Sequence, residues 1–282
     1  MRSGEDVRRF LNRMAEVILV SVTDVQGSAP REAGSWMLVA ADEVMGTVGG
    51  GQLEFRTIEA ARGMLLRGEV THRMDLPLGP GIGQCCGGRV EIGFRRLDAA
   101  GRVALLQRLD RAQATRPSVH IFGAGHVGRA VAACLSLLPV RTVVIDSRPE
   151  ELKRVTPAVQ THLSVLPEEV IRNAGASGAY LILTHDHALD FMLAAEALAR
   201  GDAAYVGMIG SATKRARFRH FLEDTRPDLS DGRLVCPVGA AGKGDKRPEV
   251  IAAFVAAELL SAMLPVVPPN AGIAETLDET AV

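Results

Sequence analysis

The stretch HIFGAGHVGRAV, His120–Val131, runs from apolar residues through three glycines at fixed offsets, Gly123, Gly125 and Gly128. An apolar run that ends in G-x-G-x-x-G and continues into a helix-forming sequence predicts a strand, a tight turn and a helix start. Each glycine has its own task in that pattern. Gly123 would allow the turn, Gly125 would let a pyrophosphate meet the backbone, and Gly128 would let the helix pack closely on its strand. The helix start then offers unpaired N–H groups and the positive end of its dipole to an anion. Asp146 closes the next apolar run, RTVVIDS, at the spacing where a carboxylate would take ribose hydroxyls. His126, inside the motif, either joins this nucleotide or anion site or simply packs there.

The pattern continues outward from this stretch. The runs SVHIFGAG, RTVVIDS, AYLILTH, AAYVGMIGS and RLVCPVG read as strands with helices between them, which predicts a doubly wound parallel sheet, a Rossmann-like domain over residues 118–265. Upstream, VILVSVTDV, WMLVA, VTHRMDLPL and RVEIGFRRL read as strands of a small mixed α/β domain over residues 1–98. The polar helical segment 99–117 reads as a linker, and the proline-rich, then acidic, residues 266–282 read as a disordered tail.

Four further stretches carry candidate chemistry. Cys85 and Cys86 stand side by side among glycines in GPGIGQCCGGRVEIGF, Gly79–Phe94. A disulfide between neighbours is strained, and zinc sites space their cysteines further apart, so the pair reads as displayed thiols or as two small residues in a tight turn. Gln84 and Arg89 flank it as groups able to lower a thiol pKa. The loops QGSAPREAGS and GTVGGGQLE are of the anion-holding kind: Ser28 offers a hydroxyl, Arg31 a fork of donors, and Gly49, Gly50 and Gly51 several backbone N–H groups at a helix start. Glu54 reads there as a first-turn acid that complements the helix dipole. In LILTHDHALD, His185, Asp186 and His187 form either a relay or ligand group or the turn before a helix that Asp190 would cap. Lys214 and Arg215 sit in the first turn of the next helix, where a cation opposes the dipole unless an anion binds.

Composition narrows the classes. A net charge of −1 and 4% aromatic residues argue against a nucleic-acid partner and against a charged membrane surface. The N-terminus has no apolar core of the signal-peptide kind, and four cysteines without a spacing framework fit a reducing compartment, so the expectation is cytoplasmic. The apolar run VIAAFVAAELLSAMLPVV reads as a buried helix, and its need for cover suggests a homodimer.

Taken in order, GSAPREAGSWMLV, GTVGGGQLE, GQCCGG, FGAGHVGRA, VIDSRPE, THDHALD, GMIGSATKRARF and CPVG followed by RPEVIAA resemble the XdhC/CoxI family, accessory factors of xanthine dehydrogenase and related molybdenum hydroxylases. The resemblance covers nearly the whole chain, with Arg247 standing where many relatives have Ser or Thr before the proline. It implies a chaperone rather than a turnover enzyme. Such a protein binds the molybdenum cofactor, protects it while a cysteine desulfurase supplies sulfur, and passes it to the hydroxylase's molybdenum-binding large subunit. On that reading Cys85 or Cys86 contacts molybdenum, because sulfur-ligated metals favour soft thiolates. Gln84, Ser28, Arg31 and Gly49–Gly51 then line the cofactor site, and the Rossmann-like domain holds a nucleotide. The alternative is an NAD(P)-dependent oxidoreductase that uses the Gly123–Gly128 loop, with His185 or His187 as its acid.

Overall fold

The structure, a computed structural model, describes residues 4–79, 87–242 and 244–264. Gln84, Cys85 and Cys86 and the expected tail lie outside the described residues. The chain divides into two units, with the boundary between Ala114 and Thr115.

In chain order the first unit contains α1 (Gly4–Arg13), β1 (Ile18–Gln26), β2 (Trp36–Val39), β3 (Val44–Gly46), α2 (Gly51–Arg67), β4 (Thr71–Pro77), β5 (Arg89–Arg96) and α3 (Ala99–Ala114). Its five strands form an antiparallel sheet in the order β3-β2-β1-β5-β4. β1 is central, and its continuous apolar run follows from burial on both faces. Ile18, Val20 and Val22 meet Leu53, Ala61 and Met64 of α2. Leu19, with Val17 just before the strand, meets Val7, Phe10 and Leu11 of α1 and Leu105 of α3. The segment expected as a linker is therefore helix α3, packed on α1. Arg102 of α3 donates to the carbonyls of Leu11 and Ala15 at 2.5 and 2.6 Å, satisfying acceptors left open around the end of α1.

The second unit alternates strands and helices: β6 (Ser118–Phe122), α4 (His126–Leu135), β7 (Arg141–Asp146), α5 (Pro149–Leu152), β8 (Gln160–Leu163), α6 (Pro167–Arg172), β9 (Ala179–Ile182), α7 (His187–Ala199), β10 (Tyr205–Met208), α8 (Ala212–Thr225), β11 (Leu234–Val235) and α9 (Pro248–Met263). All six strands run parallel in the order β11-β10-β9-β6-β7-β8. Helices α4 and α9 cover one face, and α7 and α8 the other. This is the doubly wound Rossmann arrangement, and the winding reverses between β6 and β9, where a crevice opens outside the carboxyl ends of the strands. Strand β8 was not expected from the sequence, because Gln160–Leu163 is an exposed edge strand without an apolar run. The C-terminal helix finds its cover at home: Ala252, Val255, Ala256 and Leu259 pack with Val131, Ala132 and Leu135 of α4. The argument for a homodimer from an uncovered helix is thereby removed.

One buried polar group couples this sheet to pH. His120 on β6 stacks on Tyr180 of β9, with ring centroids 5.4 Å apart, and its Nδ1 has no hydrogen-bond partner among the described residues. Burial, together with the nearby Arg141 and Arg200 charges, lowers its pKa to about 4, although a hydrogen bond with the Ala179 backbone pulls the other way. The folded protein therefore resists a proton that the unfolded chain accepts near pH 6.5. Stability from this group is complete above that pH and is lost as the pH falls towards 4. Between pH 6.5 and 5 the wild type should lose about 2 kcal/mol more than His120→Phe, measured by urea unfolding of the second unit. Parallel losses in the two proteins would show that His120 does not set this dependence.

Candidate functional site

Three loops of the first unit leave the sheet at the same end. They are the β1–β2 loop with Ser28 and Arg31, the β3–α2 loop with Gly49–Gly51, and the β4–β5 loop that carries the cysteines. The antiparallel order dictates this: β1, β3 and β4 end where β2 and β5 begin. The backbones also meet. Leu78 N–H donates to Gly88 O at 2.7 Å and Gly87 N–H to Leu78 O at 2.8 Å, closing the neck of the cysteine loop. A Cβ on Gly88 would lie 2.2 Å from the Ser28 carbonyl oxygen, and one on Gly49 would lie 3.3 Å from Pro30 Cβ. The neck of the cysteine loop thus rests on Ser28, and the glycine turn rests on Pro30.

The glycine turn is not the open anion cradle that the sequence suggested. Gly49, Gly50 and Gly51 take φ of 145°, 78° and 61°, a left-handed run that only glycine adopts readily. Yet the N–H groups of Val48 and Gly50 each donate to Glu54 Oε2 at 3.3 Å, and the Thr47 hydroxyl donates to the same oxygen. Gly49 N–H goes to Thr47 Oγ1 at 3.2 Å. Glu54, read as a dipole-complementing acid, is the anion in its own chain's cradle. Arg89, expected beside the thiols, is held by Asp75 through two hydrogen bonds, one of 2.6 Å from Nε. Ser28 and Arg31 remain exposed, and Arg31 forms no ion pair with a described residue.

In the second unit the three glycines of the β6–α4 loop differ in what demands them. A Cβ on Gly123 would lie 2.5 Å from Leu183 O, and one on Gly128 only 1.9 Å from Gly123 O. Gly125 has an extended backbone, with φ −66° and ψ −172°, and open space where a side chain would go. His126 starts α4 and is exposed. Asp146 sits at the end of β7 as predicted, but its carboxylate is engaged. Oδ1 accepts from Arg148 N at 3.0 Å and Arg148 Nε at 2.9 Å, and Oδ2 accepts from Ala124 N at 2.7 Å and Arg148 Nη2 at 2.9 Å. Burial alone would raise its pKa, but the Arg148 guanidinium and the two backbone N–H groups outweigh burial and lower it to about 2.

Beyond β9, Asp186 caps α7, accepting from Ala188 N at 2.8 Å and Leu189 N at 3.3 Å, and these bonds lower its pKa. Asp190, read as the cap, is instead fully buried. It accepts from Thr184 N at 3.1 Å, from the Thr184 hydroxyl at 2.7 Å and from the Lys214 ammonium. Lys214 therefore turns inward rather than towards an anion, and Arg215 pairs with Asp231 at 2.9 Å. The sequence could not reveal an ion pair between residues this far apart. His185 and His187 are exposed, and among the described residues no group of three or more His, Cys, Asp or Glu is placed to hold a metal ion. No described helix is long and apolar enough to cross a membrane.

Comparison with known proteins agrees with this architecture. Residues 119–259 match the XdhC Rossmann domain, and residues 11–75 match the XdhC and CoxI family. The uncharacterized protein YqeB of Escherichia coli K12 is 26% identical over 256 residues, 86% of this chain. The match covers 42% of YqeB, so the chain spans less than half that relative's length. A crystal structure from Bacillus halodurans, described as a xanthine dehydrogenase, shares the fold with a TM-score of 0.78 at 19% identity. That likeness covers 93% of this chain and 96% of the other.

The Asp190–Lys214 pair is open to direct test. Lys214→Met strands a buried carboxylate and should cost about 3–5 kcal/mol in urea unfolding. The double variant Asp190→Leu/Lys214→Met should recover most of that loss. A double variant as unstable as the single one would mean that packing, rather than the stranded charge, carries the cost.

Proposed function

The chain belongs to the XdhC and CoxI family, and from that premise we propose that it is a maturation factor of xanthine dehydrogenase or a related molybdenum hydroxylase. It binds the molybdenum cofactor, shields it while a cysteine desulfurase supplies sulfur, and hands it to the large subunit of the hydroxylase. The observation that carries this reading is the convergence of the Ser28–Arg31, Gly49–Gly51 and cysteine loops at one end of the first sheet. A ligand held there would meet the cysteine-bearing segment and the Arg31 guanidinium, which forms no ion pair with a described residue. The Bacillus halodurans protein described as a xanthine dehydrogenase, which shares this fold, supports the choice of enzyme class.

The residues of the first unit divide the work. Cys85 and Cys86 supply soft thiolates suited to a sulfur-ligated metal, and Gln84 lies next to them in sequence. When bound, the cofactor supplies a molybdenum centre on a phosphate-bearing pterin. Arg31 offers that phosphate two parallel N–H donors, and Ser28 offers a hydroxyl. Gly49–Gly51 contribute shape rather than charge, because Glu54 and Thr47 already take the N–H groups of Val48, Gly49 and Gly50. Glu54 thus fixes the turn against which Pro30 and its neighbours are seated.

Purified protein mixed with molybdenum cofactor and freed of excess should retain molybdenum and pterin in equal amounts per chain. Cys85→Ala/Cys86→Ala should lose that retention while unfolding at the wild-type temperature. Arg31→Ala should weaken retention without abolishing it, by about 1.5–3 kcal/mol for a charge-assisted bond to phosphate. A folded double-cysteine variant that still retains the cofactor would remove the thiols from the site. A folded wild type that retains none would overturn the function.

A further inference from the structure

Helix α9 is covered within the second unit, but one edge of its sheet is not. At one edge β11 has only two residues, and brevity is a usual guard for an edge strand. β8, at the other edge, is longer, and all four of its residues are exposed. Ser164 N–H turns inward to Asp146 O at 3.1 Å, so strand alternation turns the N–H and C=O groups of Thr161 and Leu163 outward. Natural edges of this kind are blunted by lysine, proline or a bulge. β8 has none of these. Its register on β7 runs unbroken from Val143↔Gln160 to Asp146↔Leu163, and residues 155–167 contain no Asp, Glu, Lys or Arg. Apolar surface stands there instead, with Leu163 57%, Val165 81% and Leu166 50% exposed.

Strand pairing alone is small beside the roughly 800 Å² that each partner contributes to a stable interface. Whatever covers the edge must therefore also meet the helices beside it. These are α5 and α6, on opposite faces: Leu152 of α5 packs in the core beneath α4 and α9, and Ile171 of α6 in the core beneath α7 and α8. The two share one charge pattern. PEELKR, residues 149–154, and PEEVIR, residues 167–172, each run from two acids to a base. Each helix leaves the carboxyl end of a parallel strand, so both faces are acidic at that end and basic towards the other. Arg141, exposed at the amino end of β7, adds to the basic end. Some of these charges also have partners in their own chain, Glu151 with Arg129 and Arg154, and Arg172 with Glu196, but the polarity repeats on both faces. A second copy turned antiparallel sets the acidic end of each face against the basic end of its partner. The uncharged strip then lies at the axis, where any charge would oppose its own copy.

We propose that β8 pairs antiparallel with β8 of a second copy across a two-fold axis, joining the two parallel sheets into one continuous sheet. The outward N–H and C=O groups of Thr161 and Leu163 find partners in this arrangement, and Leu163, Val165 and Leu166 are covered by their own copies.

The test is sedimentation of the full chain over a concentration series. The wild type should be a dimer that dissociates on dilution. Leu163→Lys sets like charges against each other near the axis and should leave a monomer with the wild-type unfolding midpoint. Val165→Lys should do the same. Glu168→Lys/Glu169→Lys removes the acidic end of one face and should raise the dissociation constant about tenfold or more. Leu66→Lys, which changes an exposed apolar residue of the first unit, should leave the dimer unchanged. Cys85→Ala/Cys86→Ala should dimerise as the wild type does, which separates this surface from cofactor retention. The proposal is overturned if the wild type is still monomeric at about 100 μM, far above the dissociation constants of standard-size interfaces. It is also overturned if folded Leu163→Lys and Val165→Lys dimerise as tightly as the wild type, or if Leu66→Lys disrupts the dimer as much as they do.

Discussion

A single missing Cβ organises the second unit. With hydrogen at residue 128 in place of a side chain, helix α4 can settle onto the loop it has just left, close enough that a Cβ would lie 1.9 Å from the Gly123 carbonyl oxygen. That approach brings the start of α4 to the carboxyl end of β6 and presses Gly123 against Leu183 at the end of β9. The crevice exists because these two strand ends are drawn together while the chain winds away from them in opposite directions. Asp146 then fastens the loop to β7 through Ala124 N–H, so three neighbouring strands share one rigid rim.

The first unit solves a similar problem with the same device. Its loops are seated by close approach at glycine, Gly88 against the Ser28 backbone and Gly49 against the Pro30 and Leu53 side chains. Glycine at such contacts costs conformational entropy, and the unit offsets it with local hydrogen bonds. Glu54 gathers Thr47, Val48 and Gly50, and backbone hydrogen bonds of Leu78 with Gly87 and Gly88 close the neck of the cysteine loop.

The architecture was legible where it depends on local rules. The glycine spacing and the strand–helix alternation pointed to the parallel sheet, and the apolar, β-branched run 17–25 pointed to the strand that is β1. Strand β8 was illegible because an exposed edge strand needs no apolar side chains. The polar contacts were harder to read for a different reason. Whether an acid serves a ligand or the protein depends on which donors surround it, and those donors come from elsewhere in the chain. Asp190 looked like a helix cap until Lys214, 24 residues on, proved to be its partner. Glu54 looked like a helix-dipole acid until the turn before it closed around its carboxylate.

The same comparison ranks the anion sites that the sequence offered. In the glycine turn the Val48 and Gly50 N–H groups face Glu54, and at the start of α8 Lys214 faces Asp190. Each of these cradles is filled by a carboxylate of the chain, and an external anion would have to displace it at the cost of exposing or stranding a charge. The β6–α4 loop is arranged differently. Its internal carboxylate, Asp146, bonds to Ala124 and Arg148 at the side of the loop and leaves the space above Gly125 clear. A carboxylate that fills a cradle closes it, whereas Asp146 is engaged beside the loop and leaves the backbone at Gly125 uncovered among the described residues. By that criterion the β6–α4 loop differs from the two filled cradles, and on the reading proposed above the first unit's contacts fall to Ser28, Arg31 and the cysteine loop.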